Sequence, residues 1–314
     1  MSTPPTSPAT AAGRPSALRT WWLAIRPATL PAAVAPVLVG IGASLGVGVA
    51  FRADTAAACL AVALLLQVAA NLANDLSDFQ RGADTPDRTG PLRVAAAGLV
   101  TARQLQVATA AVLALAGVVG LYLVAVGGAV LLAVGALAMV ATLAYTGGPW
   151  PYGYRGLGEV FVFAFFGLVA VVGTAYLQAL RVEPLFWLAA IPLGSLITGI
   201  LVVNNLRDIP TDRAAGKRTL AVTFGAEFAK AEYVALVAVA AIIPIVLLVT
   251  GQGDLPVLLP LLTGVLALEP GRRVVALGPG DDRRSMNPVL KATARLSLAY
   301  AVLFAVGLAL GGVP

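Results

Sequence analysis

The chain has 314 residues, of which 59% are hydrophobic and only 11% charged, and its mean hydropathy is +0.89. Soluble domains carry about 25% charged residues, so the composition excludes an ordinary water-soluble fold and predicts an all-α, multi-pass membrane protein. A single cysteine, Cys59, excludes an intrachain disulfide or a thiolate metal cluster, and the net charge of +6 suits anionic lipid headgroups rather than nucleic acid.

Residues 1–16 are rich in Pro, Ser, Thr and Ala and are expected to form a disordered cytoplasmic tail, ahead of one membrane domain over 17–314. Apolar runs of about 20 residues predict nine spans, at 21–49, 55–79, 103–125, 128–146, 157–179, 184–206, 229–250, 255–275 and 288–311. Trp21-Trp22-Leu-Ala-Ile-Arg26-Pro27 opens the first, where Arg26 either snorkels to headgroups or holds an anionic substrate. The second ends in Asn71-Leu-Ala-Asn74-Asp75-Leu-Ser-Asp78, whose polar residues fall at i, i+3, i+4 and i+7, one stripe of a helix.

A Gly/Pro/aromatic stretch from Tyr145 to Glu159 joins the fourth and fifth spans. Aromatic faces there would stabilise a cation, and Arg155 would hold a phosphate. The sixth span runs into Asn204-Asn205-Leu-Arg-Asp208-Ile-Pro-Thr-Asp212, again polar at i, i+4 and i+8, with Pro210 expected to loosen the helix end. Polar groups at a membrane boundary are costly unless they pair or bind something.

The basic residues decide orientation. With nine spans, 19 of the 21 Lys and Arg fall on one side, leaving only Arg52 and Arg181 on the other. The positive-inside bias then puts the N-terminus and both Asn/Asp stripes at the cytoplasmic face.

The chain has no histidine, which removes imidazole acid–base chemistry and imidazole metal ligation. A metal here must be a hard cation bound by oxygen, which favours Mg²⁺. Three or four oxygen ligands from each stripe would hold two such ions, and the metals would let the carboxylates accept a diphosphate. Arg81, Lys217 and Arg218 follow the stripes and would offset charge on a leaving diphosphate.

These residues resemble the intramembrane aromatic prenyltransferases of quinone biosynthesis, the UbiA-type family, nearest to its 1,4-dihydroxy-2-naphthoate branch. The likeness rests on Arg26-Pro-Ala-Thr-Leu-Pro through Gly40, on Asn71 to Asp78 with Gly82-Ala-Asp84, and on Gly90-Pro-Leu-Arg93. It continues in the Tyr145–Glu159 stretch and in Asn204 through Thr219.

The resemblance implies that Mg²⁺ held by Asn71, Asp75, Asp78, Asn204, Asp208 and Asp212 binds a polyprenyl diphosphate. Among these, Asp75, Asp78, Asp208 and Asp212 are the expected catalytic groups. Arg81, Tyr145, Lys217 and Arg218 would support the diphosphate, and Arg26 or Arg155 the carboxylate of the acceptor, 1,4-dihydroxy-2-naphthoate. Prenylation with decarboxylation would give demethylmenaquinol at the cytoplasmic side of the inner membrane. The alternatives are a 4-hydroxybenzoate or other aromatic-acceptor prenyltransferase and, from a different class, a secondary transporter with its polar site at the bilayer midplane.

Overall fold

The computed structural model describes residues 15–82, 90 and 92–312, and these form helices and turns without a strand. Most of the expected tail, together with Asp84 and Arg88, lies outside the described residues.

Helix α1 (Ala17–Ile25) stops at Arg26, which takes a left-handed backbone, φ 55° and ψ 71°. The reason is local: the residue before a proline is disfavoured in the α region, and Pro27 follows. A short 3-10 turn, Pro27–Thr29, leads to α2 (Pro31–Gly46), which opens on Pro31, a residue pre-set for a first helical turn. The two helices meet at 48°. What reads in the sequence as one span from 21 is therefore a bent pair.

The chain continues through α3 (Ala53–Gln80), α4 (Ala102–Gly127) and α5 (Val130–Ala144). Helix α6 (Gly158–Ala179) is wound as a π-helix over Phe163–Val172. There follow α7 (Pro184–Ala214), the short α8 (Leu220–Phe224), α9 (Ala226–Val249), α10 (Leu255–Ala276) and α11 (Met286–Leu310). Helix α7 does not loosen at Pro210 but runs on to Ala214, so the whole second Asn/Asp stripe is helical.

Among the described residues, seven helices are long and apolar enough to cross a membrane: α3, α4, α6, α7, α9, α10 and α11 with its preceding turn. The α1–α2 pair passes the same test when taken together, and α5 is a shorter apolar helix of 15 residues. Leu121, Leu137, Val140, Ile242 and Leu262 are each more than half exposed on the outer faces. Such a surface would aggregate in water and suits hydrocarbon. The chain is an integral multi-pass membrane protein.

Helices α2, α7 and α11 form the centre. Ala35, Val39 and Ala43 of α2 pack with Phe186 and Leu193 of α7 and with Tyr300 and Phe304 of α11. Close approach is bought by small residues: a Cβ on Gly42 would lie 2.5 Å from the Ala305 backbone. Helix α3 lies against α4 and α5 on one flank, and α9 and α10 cover the other.

Candidate active site

The stripe on α3 and the stripe on α7 face each other at the same end of the bundle, and each aspartate meets a cation. Asp78, 1% exposed, accepts from Arg93 Nη2 at 2.7 Å and from the Tyr154 hydroxyl at 3.0 Å. Its Oδ1 lies 3.5 Å from Lys217 Nζ, and that same ammonium lies 3.4 Å from Asp212 Oδ1. Asp78 and Asp212 thus converge on one positive charge from different helices.

Asp75 accepts from the backbone N–H groups of Val94 (3.0 Å) and Ala95 (3.2 Å), and Arg26 Nη2 stands 3.8 Å from its Oδ2. Arg26 therefore faces the cluster, not the headgroup region. Asp208 is gripped at both oxygens by Arg207, Nε at 2.7 Å and Nη2 at 2.6 Å. Arg207 also donates to Asn204 Oδ1 (2.7 Å) and Asn287 Oδ1 (2.8 Å). Among the described residues four carboxylates thus meet four cations; the acids, Arg93 and Arg207 are buried, and Arg26 and Lys217 are half-buried.

The asparagines have their own partners: of the two named with the acids, Asn204 accepts from Arg207 at 2.7 Å. Asn71 donates to the Ile25 carbonyl and the Thr29 hydroxyl, both at 2.8 Å, and so braces the α1–α2 break. Asn74 accepts from the Thr146 hydroxyl at 2.8 Å.

The aromatic stretch lies against this cluster. Tyr154 is flanked by Lys217 Nζ at 4.8 Å and by Arg81 at 5.4 Å from its ring centre. Arg81 is turned to the carbonyls of Thr146 (3.1 Å) and Gly148 (2.7 Å), so it holds the loop rather than the acids. Burial, and then the Asp78 carboxylate, push the Tyr154 phenol far above its ordinary range, which keeps it a donor. Burial, with Glu159 next, does the same to Tyr145.

Tyr145 packs edge-on to Tyr152, which stacks on Phe161 at 4.1 Å. Arg155 is exposed and stacks on Trp150 at 5.1 Å, and Arg218 is exposed, its backbone N–H donating to the Tyr154 carbonyl and its side chain meeting no acid among the described residues. Neither guanidinium is brought to the acids.

Below the cluster lies a cavity of about 350 Å³ between α2, α3, α5 and α6. Asn74 and Tyr145 sit at its polar end, while Ala138, Phe165, Val169 and Cys59 typify its apolar walls. The π-wound stretch of α6 supplies the aromatic wall, consistent with such bulges recurring at functional positions.

Sequence reasoning missed Arg93, Tyr154 and Arg207 as members of the cluster. Arg207 carried a signal, since it is adjacent to Asp208 and three residues beyond Asn204. Arg93 and Tyr154 lie in stretches the sequence does single out, Gly90–Arg93 and Tyr145–Glu159, but only the fold brings them to Asp78. Asn205 was seen beside the stripe, but not its 2.8 Å hydrogen bond to Glu159, whose Oε2 has no partner among the described residues.

No group of three or more His, Cys, Asp or Glu closes a metal site among the described residues. Asp78 and Asp212 nonetheless share one cation. Two carboxylate oxygens around a shared cation are the donor set that Mg²⁺ uses when waters and substrate phosphates complete its shell.

The family profile described as the UbiA prenyltransferase family matches residues 33–298. The chain belongs to this family. Its match to the 1,4-dihydroxy-2-naphthoate octaprenyltransferase of Mycobacterium tuberculosis is 42% identical over 296 residues, covering 93% of this chain and 97% of that one. Two solved UbiA homologues share the fold. The apo structure from Aeropyrum pernix K1 has a TM-score of 0.66 at 19% identity, covering 88% of this chain and 96% of that one. The Archaeoglobus fulgidus structure, bound to DMAPP and Mg²⁺, has a TM-score of 0.60 at 16% identity, covering 91% and 99%. This member thus combines a UbiA fold with two acidic stripes facing one another across one half-buried cation.

Proposed function

We propose that this protein is a Mg²⁺-dependent 1,4-dihydroxy-2-naphthoate polyprenyltransferase of menaquinone biosynthesis. The observation that carries the reading is the meeting of Asp78 and Asp212 on one cation, directly above an apolar cavity. The near full-length relative at 42% identity, named as a 1,4-dihydroxy-2-naphthoate octaprenyltransferase, supports the acceptor.

The residues divide the work. The apolar cavity takes the isoprenoid tail, so the donor's diphosphate lies at the Asn/Asp end. Lys217, Arg93 and Arg26 are the cations nearest to it. Asp78 and Asp212, with Asp75 and Asp208 behind them, would hold Mg²⁺, which when bound offsets the diphosphate charge and lets it leave. The allylic C–O bond breaks with its electron pair going to the diphosphate. The aromatic wall of Tyr145, Tyr152 and Phe161 lies beside the positive carbon and excludes water from it. The acceptor ring carbon bearing the carboxylate forms the new bond, and the carboxylate departs as CO₂, leaving its electron pair to the ring. Arg26 is the better placed of the two candidates for that carboxylate, since Arg155 stacks outside on Trp150.

Nine crossings, with α5 and the α1–α2 pair counted as spans, would put this end of the bundle at the cytoplasmic face of the inner membrane; the distribution of Lys and Arg supports that orientation. A disordered tail over 1–16 would precede the membrane domain. A transporter would carry its polar groups at the bilayer centre, whereas here they occupy helix ends.

Purified protein supplied with Mg²⁺, a polyprenyl diphosphate and 1,4-dihydroxy-2-naphthoate should yield the prenylated, decarboxylated quinol by mass spectrometry. Activity surviving EDTA, or surviving Asp75→Ala and Asp208→Ala, sinks the metal assignment. Preference for 4-hydroxybenzoate sinks the acceptor assignment.

A further inference from the structure

The charge arithmetic of the cluster leads beyond the reaction itself. Arg26 faces Asp75, Arg93 faces Asp78, Arg207 faces Asp208 and Lys217 faces Asp212. Among the described residues these four acids are already matched by four cations, so a divalent cation arriving alone, or a diphosphate arriving alone, would add unmatched charge to a largely buried set. Either excess charge is expensive in a low-dielectric site. A metal–diphosphate pair brings compensating charges together.

Lys217 differs from Arg93 and Arg207, and unlike Arg26 it stands between acids of two helices. Arg93 and Arg207 make hydrogen bonds of 2.6–2.8 Å in this cluster, whereas Lys217 Nζ stands back at 3.4 and 3.5 Å from two carboxylates, with the Tyr154 ring on a further side. Its position between acids of α3 and α7 is the one a bridging metal would take. It is carried on the C-terminal cap of α7: Gly216 ends the helix with φ 72°, and the Lys217 backbone N–H donates to the Asp212 carbonyl at 2.9 Å, so only the side chain has to swing.

We infer that Lys217 is a tethered stand-in cation, which holds the two acidic stripes together until a metal–diphosphate pair displaces it, and which thereby makes metal binding conditional on diphosphate. The inference rests on the prenyltransferase reading above. When the metal takes the carboxylates, the released ammonium turns to the diphosphate oxygens, so no charge is left unpaired. A bare metal has no such exchange to offer and is resisted.

The test uses the full-length protein in detergent, Mn²⁺ followed by the EPR signal of the free ion, and labelled inorganic diphosphate. Wild type should bind Mn²⁺ alone at least tenfold more weakly than Lys217→Met does, and should retain diphosphate only when Mn²⁺ is present. Lys217→Arg, which keeps the charge, should bind Mn²⁺ alone as weakly as wild type. Unchanged or weakened Mn²⁺ binding in Lys217→Met overturns the inference.

Wild type alone also decides, should the Met variant not fold. Mn²⁺ bound equally well with and without diphosphate overturns the stand-in role while leaving the metal assignment intact. Failure of wild type to bind Mn²⁺ under either condition takes down the metal assignment and the inference with it.

Discussion

Arg207 and Asp208, neighbours in the chain, form a two-pronged ion pair on α7, with Nε to Oδ1 at 2.7 Å and Nη2 to Oδ2 at 2.6 Å. Adjacent helical residues ordinarily diverge by about 100° around the axis. Here the long guanidinium reaches back, and it also engages Asn204 and Asn287, so its fork is filled. At 1% exposure, Arg207 is a fixed part that sets how Asp208 points.

Removing that guanidinium leaves Asp208 buried without its partner. Arg207→Met is expected to cost about 3–5 kcal/mol of stability, the range for breaking one side of a buried pair. Arg207→Lys keeps the charge but not the planar fork, so it should fold while losing prenyl transfer. Thermal unfolding in detergent and turnover with saturating Mg²⁺ separate the two effects. Full activity in Arg207→Lys would refute the orienting role.

Arg93 acts on Asp78 in the same manner, through one bond of 2.7 Å. Groups that orient a metal-binding carboxylate are worth about 10–100-fold in activity or metal affinity. Arg93→Gln should fall in that range, with a raised Mg²⁺ requirement in a titration of rate against Mg²⁺.

Asn71 is a brace in this structure, spanning the α1–α2 break by its bonds to Ile25 and Thr29. Asn71→Ala would take the side-chain donor from the part-buried Ile25 carbonyl, at about 1–3 kcal/mol for the group left unsatisfied, while the Thr29 hydroxyl keeps its bond from Gln67. The expected signature is a lower unfolding temperature, with Mn²⁺ affinity following stability. A loss of metal affinity at unchanged unfolding temperature would instead make Asn71 a ligand.

The cavity offers a test that leaves the cluster untouched. Gly135 lines it on α5, and a Cβ there meets nothing within 4 Å. It lies ten residues from Tyr145, or about 15 Å along the helix at 1.5 Å per residue. Gly135→Phe should fold normally and shrink the space for the tail, raising KM for a long polyprenyl diphosphate while sparing geranyl diphosphate. Equal effects on both donors would place the tail elsewhere.

The tyrosines of the loop set an alkaline limit. Burial raises both Tyr152 and Tyr154, with the Asp78 carboxylate adding to the shift at Tyr154, above the usual value of 10. A raised native pKa means that the unfolded chain loses its proton first, so this contribution is complete below pH 10 and declines as pH rises beyond it. Unfolding temperature should therefore carry no tyrosine titration between pH 6 and 9 and should fall above pH 10. Tyr154→Phe should blunt that fall.

Much of this molecule was legible in the chain, for physical reasons that act locally. Membrane helices must satisfy their backbone internally and present apolar side chains to lipid, so hydropathy alone located most of the long helices to within a few residues, although α7 runs eight residues past its expected end. The bend at Arg26 was harder to see, because the run stays apolar across Pro27 and only the pre-proline restriction breaks it. Pro210 misled in the other direction. Helix α7 tolerates it, since the Leu206 carbonyl, which Pro210 has no N–H to meet, accepts from Arg283 Nη1 at 3.2 Å.

The sequence by itself determined the class, the helical periodicity that lines Asn71, Asp75 and Asp78 on one face, and the oxygen-only donor chemistry imposed by the absence of histidine. These follow from composition and from the 3.6-residue repeat, which need no tertiary information. Only the tertiary structure decided which charge meets which. Arg93, Tyr154 and Lys217 reach Asp78 from three different loops, Asn71 turns to a helix break, and Arg155 and Arg218 stay outside. Pairing of buried charges depends on distances of a few ångströms between segments far apart in the chain, and spacing along the sequence carries no record of them.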